Sequence, residues 1–251
     1  MLSIVILTKN EEKNIIDCLE TAVWADELII VDDNSMDRTI DVINSLGNKK
    51  IKIYKNVLSD NFSNQRNFGL SKSTKDWVLF LDADERITSG LKEELNTTII
   101  NRENNISGYF IKRVDVMWDK LLNHGETGDI RLLRLAKRGT GAWVGKVHEK
   151  WQVDGEVGEL DGQILHYPHQ SINEFLLDIN YYSSLRAQEL FGRKVKAKVQ
   201  DIMIYPIAKF FKNYLIKFGF LDGIEGLIFA LMMSFHSFLV RGKLWLLWQK
   251  K

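Results

Sequence analysis

Four short apolar runs, each followed by a stretch with helical spacing, limit the folds open to this chain. The runs are LSIVILT (2–8), DELIIVDD (26–33), IKIYK (51–55) and WVLFL (77–81). Between the first two, EEKNIIDCLETAV (11–23) sets Ile15, Ile16, Leu19, Ala22 and Val23 at helical spacing. SMDRTIDVINSL (35–46) opens with a serine suited to an N-cap and carries acids in its first turn. SNQRNFGLSKS (63–73) and SGLKEELNTTI (89–99) continue the alternation. Strands alternating with helices imply βαβ units and a parallel sheet covered on both faces. Ligands of such sheets bind beyond the carboxyl ends of the strands. Thr8, Asp32, Asp33, Asp82 and Asp84 fall at those ends, where they can act together.

From residue 107 the pattern changes. GYFIKRVDV (108–116), IRLLRLA (130–136) and GAWVGKVHEKW (141–151) each read as a strand, with no long helix between them. SINEFLLDINYYSSLRAQEL (171–190) begins with Ser171 and Glu174 at capping-box spacing and reads as a helix. At 251 residues and 45% apolar, the chain can bury a real core and is not disordered. Cys18 is its one cysteine, so no internal disulfide forms. Among Ile15, Ile16 and Leu19 it reads as a packing residue in a reducing compartment. The first residues, MLSIVILTKN, lack a basic leader and a small-residue cleavage site, and are expected to be a strand rather than a signal peptide.

The net charge of +1 hides an asymmetry. Residues 193–251 hold 11 Lys/Arg and 3 Asp/Glu, net +8, and residues 1–192 carry net −7. In PIAKFFKNYLIKF (206–218), Lys209, Lys212, Asn213 and Lys217 share one narrow helical stripe. LIFALMMSFHSFLV (227–240) is 14 residues, short of the ~18–20 that cross a bilayer, and RGKLWLLWQKK follows with two tryptophans among cations. Aromatics beside Lys and Arg mark a membrane interface. The other reading is a helix pair packed on the protein's own core. The expected organisation is an α/β domain over 1–192 and a basic, amphipathic helical region over 193–251. An acidic body without a recognition motif argues against a nucleic-acid partner.

The chemistry centres on VLFLDADER (78–86), where Asp82, Asp84 and Glu85 crowd into four residues. Carboxylates this close raise one another's pKa unless positive charge stands among them. Either the stretch is a solvated turn, or a cation joins the acids. A nucleoside diphosphate held through Mg²⁺ or Mn²⁺ needs one or two carboxylates on a rigid element, with the remaining positions left for phosphate and water.

The order and spacing of ILTKNEE, ELIIVDDNSMDRT, NQRNFGL and WVLFLDADE resemble the family-2 glycosyltransferases of GT-A fold. RLLRL, WVGKVHE and GFLDGIEGL narrow the resemblance to the branch that includes lipopolysaccharide core glycosyltransferases. The resemblance implies a nucleotide-sugar donor, usually carrying UDP, inversion at the anomeric carbon, and a divalent cation, Mg²⁺ or Mn²⁺. By position it assigns Thr8 and Asp33 to the nucleoside. It assigns Asp82 and Asp84 to the two acids of the DxD element, Asp84 as the metal-binding acid and Asp82 as a further ligand to metal or nucleotide-sugar, and Arg66 to the basic residue ahead of that strand. Asp32 is then left to cap the following helix. Arg131 and Arg134 become candidate contacts to diphosphate or acceptor, or else an alternating solvated face. His166 becomes a further metal or diphosphate ligand, or a structural histidine. The base that takes the acceptor proton falls in KVHEK, at Glu149 first and His148 second, where many members have Glu-Asp. The expected acceptor is lipid-linked or a lipopolysaccharide-core saccharide, at the inner face of the cell membrane. A catalytically silent nucleotide-sugar binder or membrane-docked partner protein is the alternative, its one support being the departure at His148-Glu149. A sugar-phosphate nucleotidyltransferase is disfavoured, because TKNEEKN lacks the glycine-rich phosphate loop.

Overall fold

A computed structural model describes residues 1–58, 61–100, 105–145 and 149–250. The chain forms two compact units. One comprises Met1–Arg113 and Arg131–His166, the other Val114–Ile130 and Tyr167–Lys251. The second unit thus begins at 167 rather than 193 and borrows an excursion from mid-chain.

In the first unit the expected alternation appears as β1 (Leu2–Thr8), α1 (Ile15–Ala22), β2 (Glu27–Asp32), α2 (Thr39–Ser45), β3 (Ile51–Lys55), α3 (Phe62–Lys72) and β4 (Trp77–Asp82). β5 (Glu85–Ile87), α4 (Ser89–Ile100), β6 (Ile106–Met117), β7 (Lys120–Leu122) and β8 (Ile130–Lys137) follow. β9 (Gly141–Val144), β10 (Lys150–Val153) and β11 (Glu156–His166) come last. The sheet runs β3-β2-β1-β4-β8-β6-β11-β5. β1 pairs in parallel with β2 and β4, while β4 meets β8 antiparallel, so the sheet is mixed. Thr8 stands beside Asp32, and Leu7 beside Asp82. The carboxyl ends of three strands therefore share one edge.

Alternation sorts the core. Ile4, Ile6, Leu28, Ile30, Leu79 and Leu81 face α1 and α4 through Cys18, Leu19, Leu91 and Leu95. Val5, Ile29, Val31, Val78 and Phe80 face the other way, against Trp143 and Trp151. Cys18 is fully buried, and burial pushes its thiol up, as expected of a packing residue.

Three expectations change. Ser35 does not cap α2. Asp37 accepts from the Thr39 amide at 3.0 Å, and the Ser35 hydroxyl donates to Asp32 at 2.5 Å. GAWVGKVHEKW is not one strand but the hairpin β9–β10, with Trp151 opposite Trp143 and Gly145 at φ +97° after β9. β11 was not foreseen; Gly158 and Gly162 weaken its strand character. They mark close packing instead, since a Cβ at Gly162 would stand 2.4 Å from the Leu91 Cα.

The second unit holds the end of β6, its partner β7, and three long helices, α5 (Ile172–Gly192), α6 (Val199–Phe211) and α7 (Gly223–Gln249). The capping box at Ser171 and Glu174 forms. Met117, Leu122, Phe175, Ile179 and Phe229 make one cluster, and Ala187, Leu190, Ala197, Val240 and Leu244 another. The 14-residue apolar run lies inside the 27 residues of α7, which by length and composition could cross a membrane. The expected shortfall is therefore corrected, because the helix continues past Arg241.

Candidate active site

The crowded acids of VLFLDADER are met by guanidinium groups. Arg66, on α3, donates from Nη2 to Asp82 Oδ1 at 3.0 Å and from Nε to Glu149 Oε1 at 2.9 Å. Arg134, on β8, donates from Nη2 to Asp82 Oδ2 at 2.8 Å and to Glu85 Oε1 at 3.1 Å. Glu85 also accepts the Asp82 amide at 2.9 Å, and Arg113 lies 3.9 Å from it. The Glu85 carboxylate therefore does not pair with Arg86, whose guanidinium donates to the Glu85 carbonyl at 3.1 Å and to the Asp17 carboxylate at 3.2 Å.

α3 delivers Arg66 by turning a polar side inward: Ser63, Gln65, Arg66 and Gly69 are its buried residues. Burial of a guanidinium is tolerable only with partners. Here the Arg66 head lies 4.7 Å over the Trp143 ring, which stacks on Trp151 at 5.4 Å. The β9–β10 hairpin thus builds a floor under the arginine.

Charge follows geometry. Burial alone would raise the Asp82 carboxyl, but Arg134 and Arg66 hold it far below the usual carboxylate range. Burial pushes Glu85 up, opposed by Arg134 and reinforced by Asp82. Burial would lower Arg134, yet Asp82 and Glu85 hold it above its ordinary value.

Asp84 and His166 come together, with Oδ2 and Nε2 at 3.2 Å. Two donors at right angles on a cation with bonds of ~2.1 Å stand about 3 Å apart. The pair therefore fits a small divalent ion that takes its other ligands from phosphate and water. Asp82 does not fit this role, because both its oxygens are engaged by arginines. No group of three such ligands occurs among the described residues.

The other expected residues separate in the same way. Asp32 accepts from the Ser35 amide and hydroxyl, which leaves Asp33 as the candidate acid at the end of β2. Asp33 takes Lys9 Nζ at 2.7 Å and the Leu58 amide at 2.9 Å. Its amide donates to the Thr8 carbonyl at 3.0 Å, so the two lie side by side. Thr8 Oγ1, Arg66 Nη1 and Arg134 Nη1 are buried and have no hydrogen-bond partner among the described residues. Such groups are costly unless a ligand completes them. Arg131 is a correction. Three residues from Arg134 on β8, it faces the opposite side and pairs with Glu159 at 2.6 Å, apart from the acids. Arg134 is no solvated face either, being 4% exposed. His148 lies outside the described residues. Arg113 and the tryptophan floor were missed by sequence reasoning. Their signal, a basic and an aromatic residue on strands, is common to any half-buried sheet.

The family profile described as glycosyl transferase family 2 matches residues 3–150. A lipopolysaccharide core biosynthesis glycosyltransferase, LpsC of Rhizobium meliloti, is 27% identical over 252 residues, covering 97% of this chain and 92% of that one. An uncharacterised glycosyltransferase of Rickettsia typhi is 26% identical over 260 residues, covering 97% and 86%. Among solved structures, S. aureus TarS 1-349 in complex with UDP-GlcNAc aligns with all of this chain and 92% of its own, at 14% identity and a TM-score of 0.50. That likeness bears on the fold, an α/β mixed sheet with flanking helices and a long C-terminal helix.

Proposed function

Because the chain belongs to glycosyl transferase family 2, and is an enzyme of that family, we propose that it moves a sugar from a UDP-sugar to a lipid-linked or lipopolysaccharide-core saccharide. The observation that carries the donor half is the set of unpartnered buried groups, Thr8 Oγ1, Arg66 Nη1 and Arg134 Nη1, near the carboxyl ends of β1 and β4. They supply hydroxyl and guanidinium donors where a nucleoside diphosphate presents acceptors. UDP-GlcNAc in the TarS structure, and the lipopolysaccharide core in the name of LpsC, support the substrate classes.

In the proposed reaction the acceptor oxygen bonds to the anomeric carbon as the bond to the diphosphate breaks, with inversion. The acceptor proton goes to Glu149, which Arg66 orients through its Nε. Asp84 and His166 would hold the divalent cation. When bound, the ion neutralises charge on the leaving diphosphate. Asp82 and Glu85 instead fix the arginines. The basic helical region suits a place at the inner face of the membrane, where a lipid-anchored acceptor would lie.

Calorimetry with a panel of UDP-sugars, with and without Mn²⁺, tests the donor site. One sugar nucleotide is expected to bind in a Mn²⁺-dependent way, and Asp84→Ala to abolish that dependence. Equal binding by wild type and Asp84→Ala would remove Asp84 from the site. Glu149→Gln is expected to keep donor binding and lose turnover by about 10²–10⁴-fold with extracted lipid acceptors.

A further inference from the structure

A second basic site lies wholly within the helical unit. Arg186 of α5, Tyr205 and Lys209 of α6, Lys212 just beyond it, and Ser237 and Arg241 of α7 line a cleft of about 330 Å³. No carboxylate is among its lining residues. Outside it, Glu189 pairs with Arg186 at 2.5 Å and Glu126 with Lys209. Two of the four cations are thereby balanced. Among the described residues no ion pair is recorded for Lys212 or Arg241, and Arg241 rests 3.8 Å over the Tyr205 ring. The surplus matches the charge of about −1.5 to −2 on a phosphate monoester. Ser237 and Tyr205 add hydroxyls.

The surroundings identify the source of the phosphate. On α6 and just after it, the lining positions 205, 208 and 212 run beside Ile204, Ile207 and Phe211, all exposed. On α7 the positions 236, 237, 240 and 241 run beside Leu231, Phe235 and Phe238, also exposed. α6 has no buried residue at all. Contiguous apolar surface of this kind is expensive in water. A cationic cleft between apolar helix faces suits a headgroup phosphate whose acyl chains cover those faces.

We infer that the cleft between α5, α6 and α7 binds a phosphate group, supplied by an anionic membrane lipid. The site belongs to the helical unit and does not depend on the transfer reaction. It requires that Lys212 and Arg241 act at one point, and not as part of a diffuse positive field.

The test is co-sedimentation of the full chain with phosphatidylcholine vesicles, with and without phosphatidic acid. The proteins are wild type, Lys212→Gln with Arg241→Gln, and a charge-matched control, Lys194→Gln with Lys250→Gln. Far-UV circular dichroism checks that each retains its helices. Wild type is expected to prefer vesicles containing phosphatidic acid. The cleft pair should lose about tenfold or more of that binding, and the control much less. Equal losses in the two pairs would overturn the cleft in favour of diffuse charge. Glycerol 3-phosphate and inorganic phosphate, followed by ³¹P NMR without vesicles, separate the sources. If they bind wild type but not the cleft pair, while vesicle binding is the same in both, the lipid source is overturned.

Discussion

At the residue scale the first unit depends on arginines that sit among acids. Arg134 is shared by Asp82 and Glu85, and its loss would leave two buried carboxylates with reduced compensation. Arg134→Gln is expected to cost about 3–5 kcal/mol, read from urea unfolding. Arg131→Gln, three residues away, removes only a pair whose members are 42% and 60% exposed, and should cost under about 1 kcal/mol. A smaller loss for Arg134→Gln than for Arg131→Gln would contradict the clamp. The sequence disclosed the acids but not their partners. Asp82 was legible because it ends an apolar strand. Arg66 and Arg134 lie 16 and 52 positions away, and no local pattern encodes which guanidinium will turn inward. The strand-end reading named Thr8 and Asp33 together, and the parallel pairing of β1 with β2 sets them side by side.

At the element scale α3 couples packing to chemistry. A Cβ at Gly69 would fall 2.5 Å from the Val5 Cγ1 and 3.1 Å from the Val31 Cγ2, both on stiff, buried, β-branched side chains. The helix must therefore lie close to β1 and β2, and that closeness sets the reach of Arg66. Gly69→Ala is expected to destabilise by about 1–3 kcal/mol and to weaken donor binding, checked by thermal unfolding and calorimetry. Unchanged values of both would refute the coupling. Helices with an apolar stripe, such as α1, could be read from spacing alone. β11 could not, because Gly158 and Gly162 serve contacts with Tyr109 and Leu91 from distant parts of the chain. β9 and β10 were fused in the reading because their residues have uniform strand character and the turn is not written in proline or Asn-Gly.

At the scale of the whole molecule, acid stability has an identifiable contributor. Glu27, at the opening of β2, is 2% exposed. Burial alone would raise its carboxyl, but bonds from Lys52, Ser3 and Thr74 bring it down to about 2 from 4.5. A depressed acid stabilises the fold above its unfolded pKa and loses that contribution as pH falls through its folded one. Stability should therefore decline as pH drops from 4.5 toward 2, and Glu27→Gln should flatten that decline while lowering stability at neutral pH. Urea midpoints across this range measure it, and parallel curves for the two proteins would refute the assignment.

The chain passes between its two units three times, at 113–114, 130–131 and 166–167. A helical tail that was a simple appendage could be exchanged among relatives at one crossover. Here a single exchange at 167 would bring α5–α7 without residues 114–130, including Lys120 and Glu126, which pair with Glu225 and Lys209. Recombination that preserves the unit must carry both stretches together, so the middle and the last third of this chain are tied in inheritance as well as in space.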